Sequence, residues 1–104
     1  MCFFVENANG GRWTFLQNYG ENSRYLIYCG GDFSDIKCTS RGNWGRNFST
    51  GIQGGTGTSD HILENNSIYN ASVCFSTEAA TGTSVIRNNI GKTCSISGIR
   101  KNAG

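Results

Sequence analysis

Polar and apolar residues alternate along several short segments of the chain, and this pattern predicts strands rather than helices. Trp13 and Phe15 lie two positions apart within the segment from Arg12 to Gln17, so they share one face of an extended chain. The segment from Tyr25 to Cys29 has the strongest strand pattern, and another strand is predicted from Thr93 to Arg100. We therefore expect a protein built from short strands.

Two nine-residue segments, which begin at Cys2 and Cys74, share the frame Cys-Phe-x-x-Glu-x-Ala-x-Gly and lie 72 residues apart. In each copy a cysteine and an aromatic residue open a short apolar run that a glycine closes, which is typical of a strand entering a tight turn. Both halves then follow the order strand, Gly turn, strand, Asn turn, strand, ending at Cys29 in one half and at Cys94 in the other. The repeat predicts two related β motifs.

Composition favours the same fold class. The 104 residues include 15 Gly and no Pro, and Gly and short polar residues are weak helix formers. A chain of this length forms one domain, residues 1–104, with a modest core. Neither motif can bury its apolar face alone, so we expect the first motif, about 1–66, and the second, about 67–104, to form a small all-β sandwich with Greek-key connections.

The five cysteines indicate disulfide bonds, because the chain has no Cys-x-x-Cys motif and only one histidine. We therefore expect a secreted protein. Cys2, Cys29, Cys74 and Cys94 hold matching positions in the two halves, which favours the pairs Cys2 with Cys29 and Cys74 with Cys94 and leaves Cys38 free. A bridge between Cys29 and Cys38, closing a short loop, remains open as an alternative.

The charge of the chain and the motifs that it lacks narrow the classes of partner that we expect. The net charge is +2, and no block of Lys and Arg marks a nucleic-acid surface. No stretch of about 18 apolar residues predicts a membrane span. No phosphate-binding Gly-Lys-Ser/Thr pattern and no pair of metal ligands occurs, so we expect no cofactor and no metal. The expected partner is a protein target or a glycan.

The segment from Thr39 to Asp60 is rich in Gly, Ser, Thr and Asn, with isolated apolar residues and no clear period. One interpretation is a pair of long surface turns with Trp44 packed onto the core, and the other is a contact loop presented to a partner. Trp44 lies between Arg41 and Arg46, and an exposed Trp flanked by two Arg suits a protein or glycan contact. With Phe48, these residues form the predicted binding site.

The repeated aromatic strand that runs into a Gly turn, together with the Ser-containing last strand Ile96-Ser97-Gly98-Ile99-Arg100, resembles the βγ-crystallin superfamily. Its small secreted, cysteine-containing branch is the most similar, and includes crystallin-like peptidase inhibitors and antifungal or killer-toxin-like proteins. The resemblance implies a Greek-key fold and a function in binding, as an inhibitor or an antimicrobial toxin. Calcium-binding members carry a Ser/Thr pair that the segment from Asn65 to Asn70 lacks, so we expect calcium binding to be lost or weak.

The chain carries no strong catalytic motif. His61 stands beside Asp60 and has Glu64 three positions later, but a general base also needs a second acid or base and an anion stabiliser. We therefore predict that the protein is not an enzyme. Two alternatives to inhibition stay open: a carbohydrate-binding lectin, for which Tyr, Trp and Asn on a shallow β surface are suitable contact groups, and an extracellular structural module.

Overall fold

The computed structural model describes residues 2–5, 11–30, 36–55, 58–77, 80 and 82–101. Of the turn predicted after the first strand, residues 7–11, only Gly11 lies in this part of the chain, and it begins a strand. The described residues form nine strands and no helix. The strands are β1 (Phe3–Val5), β2 (Gly11–Leu16), β3 (Tyr19–Cys29), β4 (Ile36–Arg41), β5 (Trp44–Gly54), β6 (Thr58–Glu64), β7 (Ser67–Ser76), β8 (Ser84–Arg87) and β9 (Ile90–Arg100).

Successive strands alternate between two sheets. The long sheet has the order β1-β3-β5-β7-β9, and the short sheet has the order β2-β4-β6-β8. All seven strand pairings are parallel, so the chain coils, and each coil adds one strand to each sheet. The described part of the chain is therefore a parallel β-solenoid. The all-β prediction is confirmed, but the predicted Greek-key arrangement is wrong for these strands, because Greek keys join antiparallel strands.

The 72-residue repeat has a different meaning in this fold. Phe3 pairs with Ile27, Ile27 pairs with Ile52, and Ile52 pairs with Phe75, in steps of 24, 25 and 23 residues. Phe3 and Phe75 therefore hold equivalent positions three coils apart. The proposed boundary between two motifs at residues 66 and 67 does not interrupt the long sheet, since β7 pairs with β5 on one side and with β9 on the other. The repeating unit is one coil.

Stacked side chains from successive coils fill the interior. The main buried cluster consists of Leu26, Ile27, Phe48, Ile52, Leu63, Ile68, Ala71, Cys74 and Phe75. Complete burial of a side chain such as Ile or Phe stabilises the fold by about 1.5–3 kcal/mol. At the end of the Ile27, Ile52 and Phe75 stack, Ile99 remains 54% exposed, because β9 is the last described strand of the long sheet.

Two disulfides cross-link the described strands. Cys74 and Cys94 join neighbouring strands of the long sheet, as predicted, whereas Cys29 is bonded to Cys38 rather than to Cys2. The alternative pairing is therefore the observed one, and Cys2 is the free cysteine. The reason is the coil: β3 runs into the next strand of the short sheet, which brings Cys29 and Cys38 together across the sheets. Each bridge contributes about 2–4 kcal/mol to stability.

A two-residue turn connects each short-sheet strand to the following long-sheet strand. Its first residue has a positive φ, and its second residue is always Asn. The first residues are Gln17 (φ 53°), Gly42 (φ 68°), Asn65 (φ 54°) and Asn88 (φ 54°). Gly, and to a lesser extent Asn, adopts this left-handed conformation at low cost. The sequence predicts Asn turns over residues 18–22 and 88–91. The observed turns are shorter, since these segments also contain the first residues of β3 and β9.

Candidate functional site

The second residues of the four turns form a ladder of hydrogen bonds, the inner Asn ladder, which consists of Asn18, Asn43, Asn66 and Asn89 and whose two middle members are fully buried. The Oδ1 atom of Asn43 accepts hydrogen bonds from the backbone N–H and from the side-chain Nδ2 of Asn18, at 2.9 and 3.0 Å. Asn66 accepts the same two bonds from Asn43, and Asn89 accepts them from Asn66. The ladder fixes the starts of β3, β5, β7 and β9 relative to one another.

Aromatic residues at the start of these strands border a shallow groove on the outer surface. This aromatic groove is lined by Tyr19, Trp44, Gly45, Arg46 and Tyr69 and has a volume of about 550 Å³. Tyr19 and Trp44 directly follow ladder residues, and their ring centroids are 4.2 Å apart with the planes tilted by 47°. Trp44 is 53% exposed, Tyr19 43% and Tyr69 39%. Three large rings are thus available at one surface.

A charged network adjoins the rings. The Tyr19 hydroxyl and the Arg46 Nε–H both donate to Oε2 of Glu21, each at 2.9 Å. The hydrogen bond from Arg46, followed by that from Tyr19, lowers the pKa of Glu21 below its usual value. The bond to Glu21 raises the pKa of Arg46 and that of Tyr19. The network therefore holds an ionised carboxylate, a guanidinium and a phenol in fixed positions beside the groove.

The structure brings together only two of the four predicted binding residues. Trp44 and Arg46 lie in the aromatic groove. Arg41 ends β4 in the short sheet and donates to Glu64 at 2.8 Å, and Phe48 is 6% exposed within the core. Both interpretations of the Thr39 to Asp60 segment need correction, because it is mostly strand and because Trp44 is exposed rather than packed onto the core.

Sequence reasoning missed Tyr19, Glu21 and Tyr69. Their positions follow from the coil: Tyr19 pairs with Trp44, and Glu21 pairs with Arg46, which pairs with Tyr69. The signal that would have identified them is the recurrence of Asn at 18, 43, 66 and 89, at intervals of 25, 23 and 23 residues. Residues at equal distances after these Asn lie side by side on neighbouring strands.

A second ladder and a polar surface lie next to the aromatic groove. The outer Asn ladder consists of Asn22, Asn47 and Asn70, in which Asn47 Nδ2 donates to Asn22 at 2.7 Å and Asn70 Nδ2 donates to Asn47 at 2.8 Å. The ladder borders a shallow polar groove of about 680 Å³. Arg24, Ser49, Ser72 and Ser95 also line that groove. The two grooves adjoin through the consecutive residues Arg46 and Asn47.

The histidine considered as a general base is part of the interior. His61 is fully buried, its Nε2 lies 3.1 Å from the Ser40 hydroxyl, and burial lowers its pKa to about 3. Glu64 instead binds Arg41 and Arg87, whose hydrogen bonds lower its pKa. In the described segments no three His, Cys, Asp or Glu side chains cluster as metal ligands. The same segments contain no helix of the length and hydrophobicity that crossing a membrane requires.

No protein-family model matches the chain, and neither a curated protein nor a solved structure matches it. These comparisons leave the resemblance to the βγ-crystallin superfamily untested. Because no comparison assigns a family, we describe the class of protein by its fold and its surface. It is a disulfide-bonded parallel β-solenoid whose long sheet carries an exposed aromatic groove.

Proposed function

We propose that this chain is an extracellular carbohydrate-binding module and that its ligand lies in the aromatic groove. The observation that carries the proposal is Trp44, which is more than half exposed, packs against Tyr19 and shares a groove with Tyr69. Side chains of this size usually contribute to cores or interfaces. A grouped set of exposed rings is therefore a sign of a contact surface.

The chemistry of the groove suits a sugar. The C–H faces of a pyranose ring are apolar and flat, so they pack against Trp44 or the tyrosines while the hydroxyl groups point outward. Glu21 provides an acceptor and Arg46 provides donors at the edge of the groove. A few oriented polar groups around an apolar surface are the usual composition of a small-ligand site.

The scaffold makes the site rigid before a ligand arrives. Tyr19 and Trp44 each follow a member of the inner Asn ladder, and parallel strands hold them about 4.8 Å apart in the direction of the hydrogen bonds. The network around Glu21 further restricts the side chains of Tyr19 and Arg46. Preorganisation of this kind reduces the entropy lost on binding.

The disulfides are compatible with an extracellular location. The family resemblance implies peptidase inhibition or antimicrobial action. The structure exposes fewer of the predicted contact residues than these functions were expected to use. Of the four residues predicted to contact a protein or a glycan, Phe48 is in the core and Arg41 belongs to the other sheet, which leaves a smaller surface than a protein interface usually needs. Glycan binding requires only the surface that Trp44 shares with the two tyrosines.

A glycan array followed by titration calorimetry with the best binder tests the proposal. Replacement of Trp44 with Ala removes the largest ring, and we expect it to weaken Kd about tenfold or more, which corresponds to about 1.4 kcal/mol. Trp13→Ala is the matched control, because Trp13 is also exposed, at 42%, but lies on β2 of the short sheet. An array without any binding, or equal losses in the two variants, would contradict the proposal.

A further inference from the structure

We infer that the glycan is acidic and that its carboxylate or sulfate groups lie beside Lys92. This inference rests on the proposed function, since it names the chemical class of the ligand for the same surface. Its basis is a row of side chains that crosses four strands of the long sheet: Glu21, Arg46, Tyr69 and Lys92.

The row places one groove ring between two cations. Tyr69 pairs with Arg46 on one side and with Lys92 on the other, and all three side chains are exposed. Neighbouring strands are about 4.8 Å apart, so both cationic side chains reach a sugar that is packed on the Tyr69 ring. The ring itself lines the aromatic groove.

Charges on this face are unequal. Glu21 is the acidic residue of the row, and it is already bound by Arg46 and by the Tyr19 hydroxyl. Within the described segments, no carboxylate lies at salt-bridge distance from Lys92. Arg24 adds a further cation where the polar groove begins, and its guanidinium lies 5.2 Å from the Tyr25 ring centroid. Among the described residues of this row and the adjoining polar groove, Arg24, Arg46 and Lys92 are therefore cationic, and the one acid, Glu21, is already paired.

This distribution of charge predicts that acidic ligands bind more tightly than neutral ones. A neutral sugar leaves Lys92 hydrated, whereas an acidic sugar gains an ion pair at Lys92 and a longer-range attraction from Arg24 and Arg46. An exposed ion pair changes an affinity by up to about fivefold and weakens as salt screens it. Selectivity and salt dependence are therefore the measurable consequences.

Titration calorimetry with three probes tests the inference: a hexagalacturonate, the same hexasaccharide as its methyl ester, and a heparin-derived hexasaccharide. The first two share the same sugar backbone, and the ester replaces each carboxylate charge with a neutral methyl ester group. We expect the hexagalacturonate to bind about fivefold more tightly than its ester at low salt, and this difference to shrink at about 0.5 M NaCl. Preferential binding of the heparin probe, which carries sulfate groups in addition to carboxylates, supports the inference equally.

Variants locate the effect. Lys92→Gln should remove most of the difference between acid and ester, whereas Arg12→Gln should retain it, because Arg12 lies on β2 of the short sheet and its replacement changes the net charge equally. Equal binding of acid and ester would overturn the inference and leave the proposed function standing. Equal losses in the two variants would overturn the assignment to Lys92, and failure of the wild type to bind any glycan would overturn both proposals.

Discussion

The two Asn ladders use the same residue type at the same period for different purposes. In the inner ladder, Asn43 and Asn66 are fully buried, and each accepts hydrogen bonds from both a backbone N–H and a side chain. In the outer ladder, which includes Asn47, the residues are exposed, bond to one another through side chains and have positive φ. The inner ladder provides hydrogen-bond partners for backbone groups that water does not reach. In the outer ladder, Asn occupies positions of positive φ, which most other residues adopt only with strain.

Burial determines the energetic difference between them. A hydrogen bond contributes little when water replaces it, but a buried donor or acceptor left without a partner costs about 1–3 kcal/mol. The side chain of Asn66 accepts from Asn43 and donates to the backbone carbonyl of Ser40 and to Asn89. At Asn47 the surrounding solvent is able to take over the lost bonds. Substitutions in the inner ladder should therefore lower the free energy of unfolding severalfold more than substitutions in the outer ladder.

The largest expected effect is that of Asn66→Ala. The substitution removes the partner of the Asn43 N–H and of the Ser40 carbonyl, and one of the two acceptors of the Asn43 Nδ2, so we expect the free energy of unfolding to fall by about 3–6 kcal/mol. Asn66 does not have a positive φ, so backbone strain does not contribute. Denaturant unfolding under oxidising conditions measures the change, and a loss below about 1 kcal/mol would contradict the structural role of the ladder.

His61 extends the comparison to a buried polar side chain outside either ladder. Its folded-state pKa is about 3 because of burial, whereas its ordinary value is 6.5. Below pH 6.5 the unfolded chain therefore binds a proton that the folded chain does not. Stability should fall by about 1.4 kcal/mol per pH unit, or about 2 kcal/mol between pH 6.5 and pH 5, and the fall should continue towards pH 3.

Denaturant unfolding between pH 6.5 and pH 5 isolates this effect, because His61 is the only histidine in the chain. The loss of stability from Glu64, whose pKa is lowered, begins at lower pH, near the ordinary value of 4.5. In the control variant His61→Gln, the slope over this range should be close to zero, whatever its overall stability. An unchanged slope in that variant would show that His61 is not the titrating group.

The fold class and several strands were predictable from the sequence, but the direction of pairing was not. Alternating residues and the Gly content indicated strands such as 12–17, and Phe3 and Phe75, which open the two sequence copies, do hold equivalent positions. The coil was missed because most equivalent positions vary in chemistry. Tyr19, Trp44, Ser67 and Ile90 form one such set. The residue that stays constant is Asn, whose frequency in turns concealed its period.

Because the period of the coil was missed, the sequence predicted only part of the site. Trp44 and Arg46 belong to one strand, so their proximity follows from local sequence. Tyr19 and Tyr69 come from other coils, and only the register of parallel strands brings them to Trp44. Phe48 was assigned to the site because it lies near Trp44 in the sequence, although the chain turns its side chain into the core just after the positive φ at Asn47.

The smallest expected effect is that of substitutions at Asn47, and they separate backbone strain from hydrogen bonding. Asn47 has a φ of 66°, a conformation that Gly adopts freely and that costs Ala about 1 kcal/mol or more. Both Asn47→Gly and Asn47→Ala remove the same side-chain hydrogen bonds. We expect Asn47→Gly to remain within about 0.5 kcal/mol of the wild type and Asn47→Ala to lose about 1 kcal/mol in denaturant unfolding. If both variants lost the same amount, the outer ladder would stabilise the fold through its hydrogen bonds, and the contrast between the two ladders would disappear.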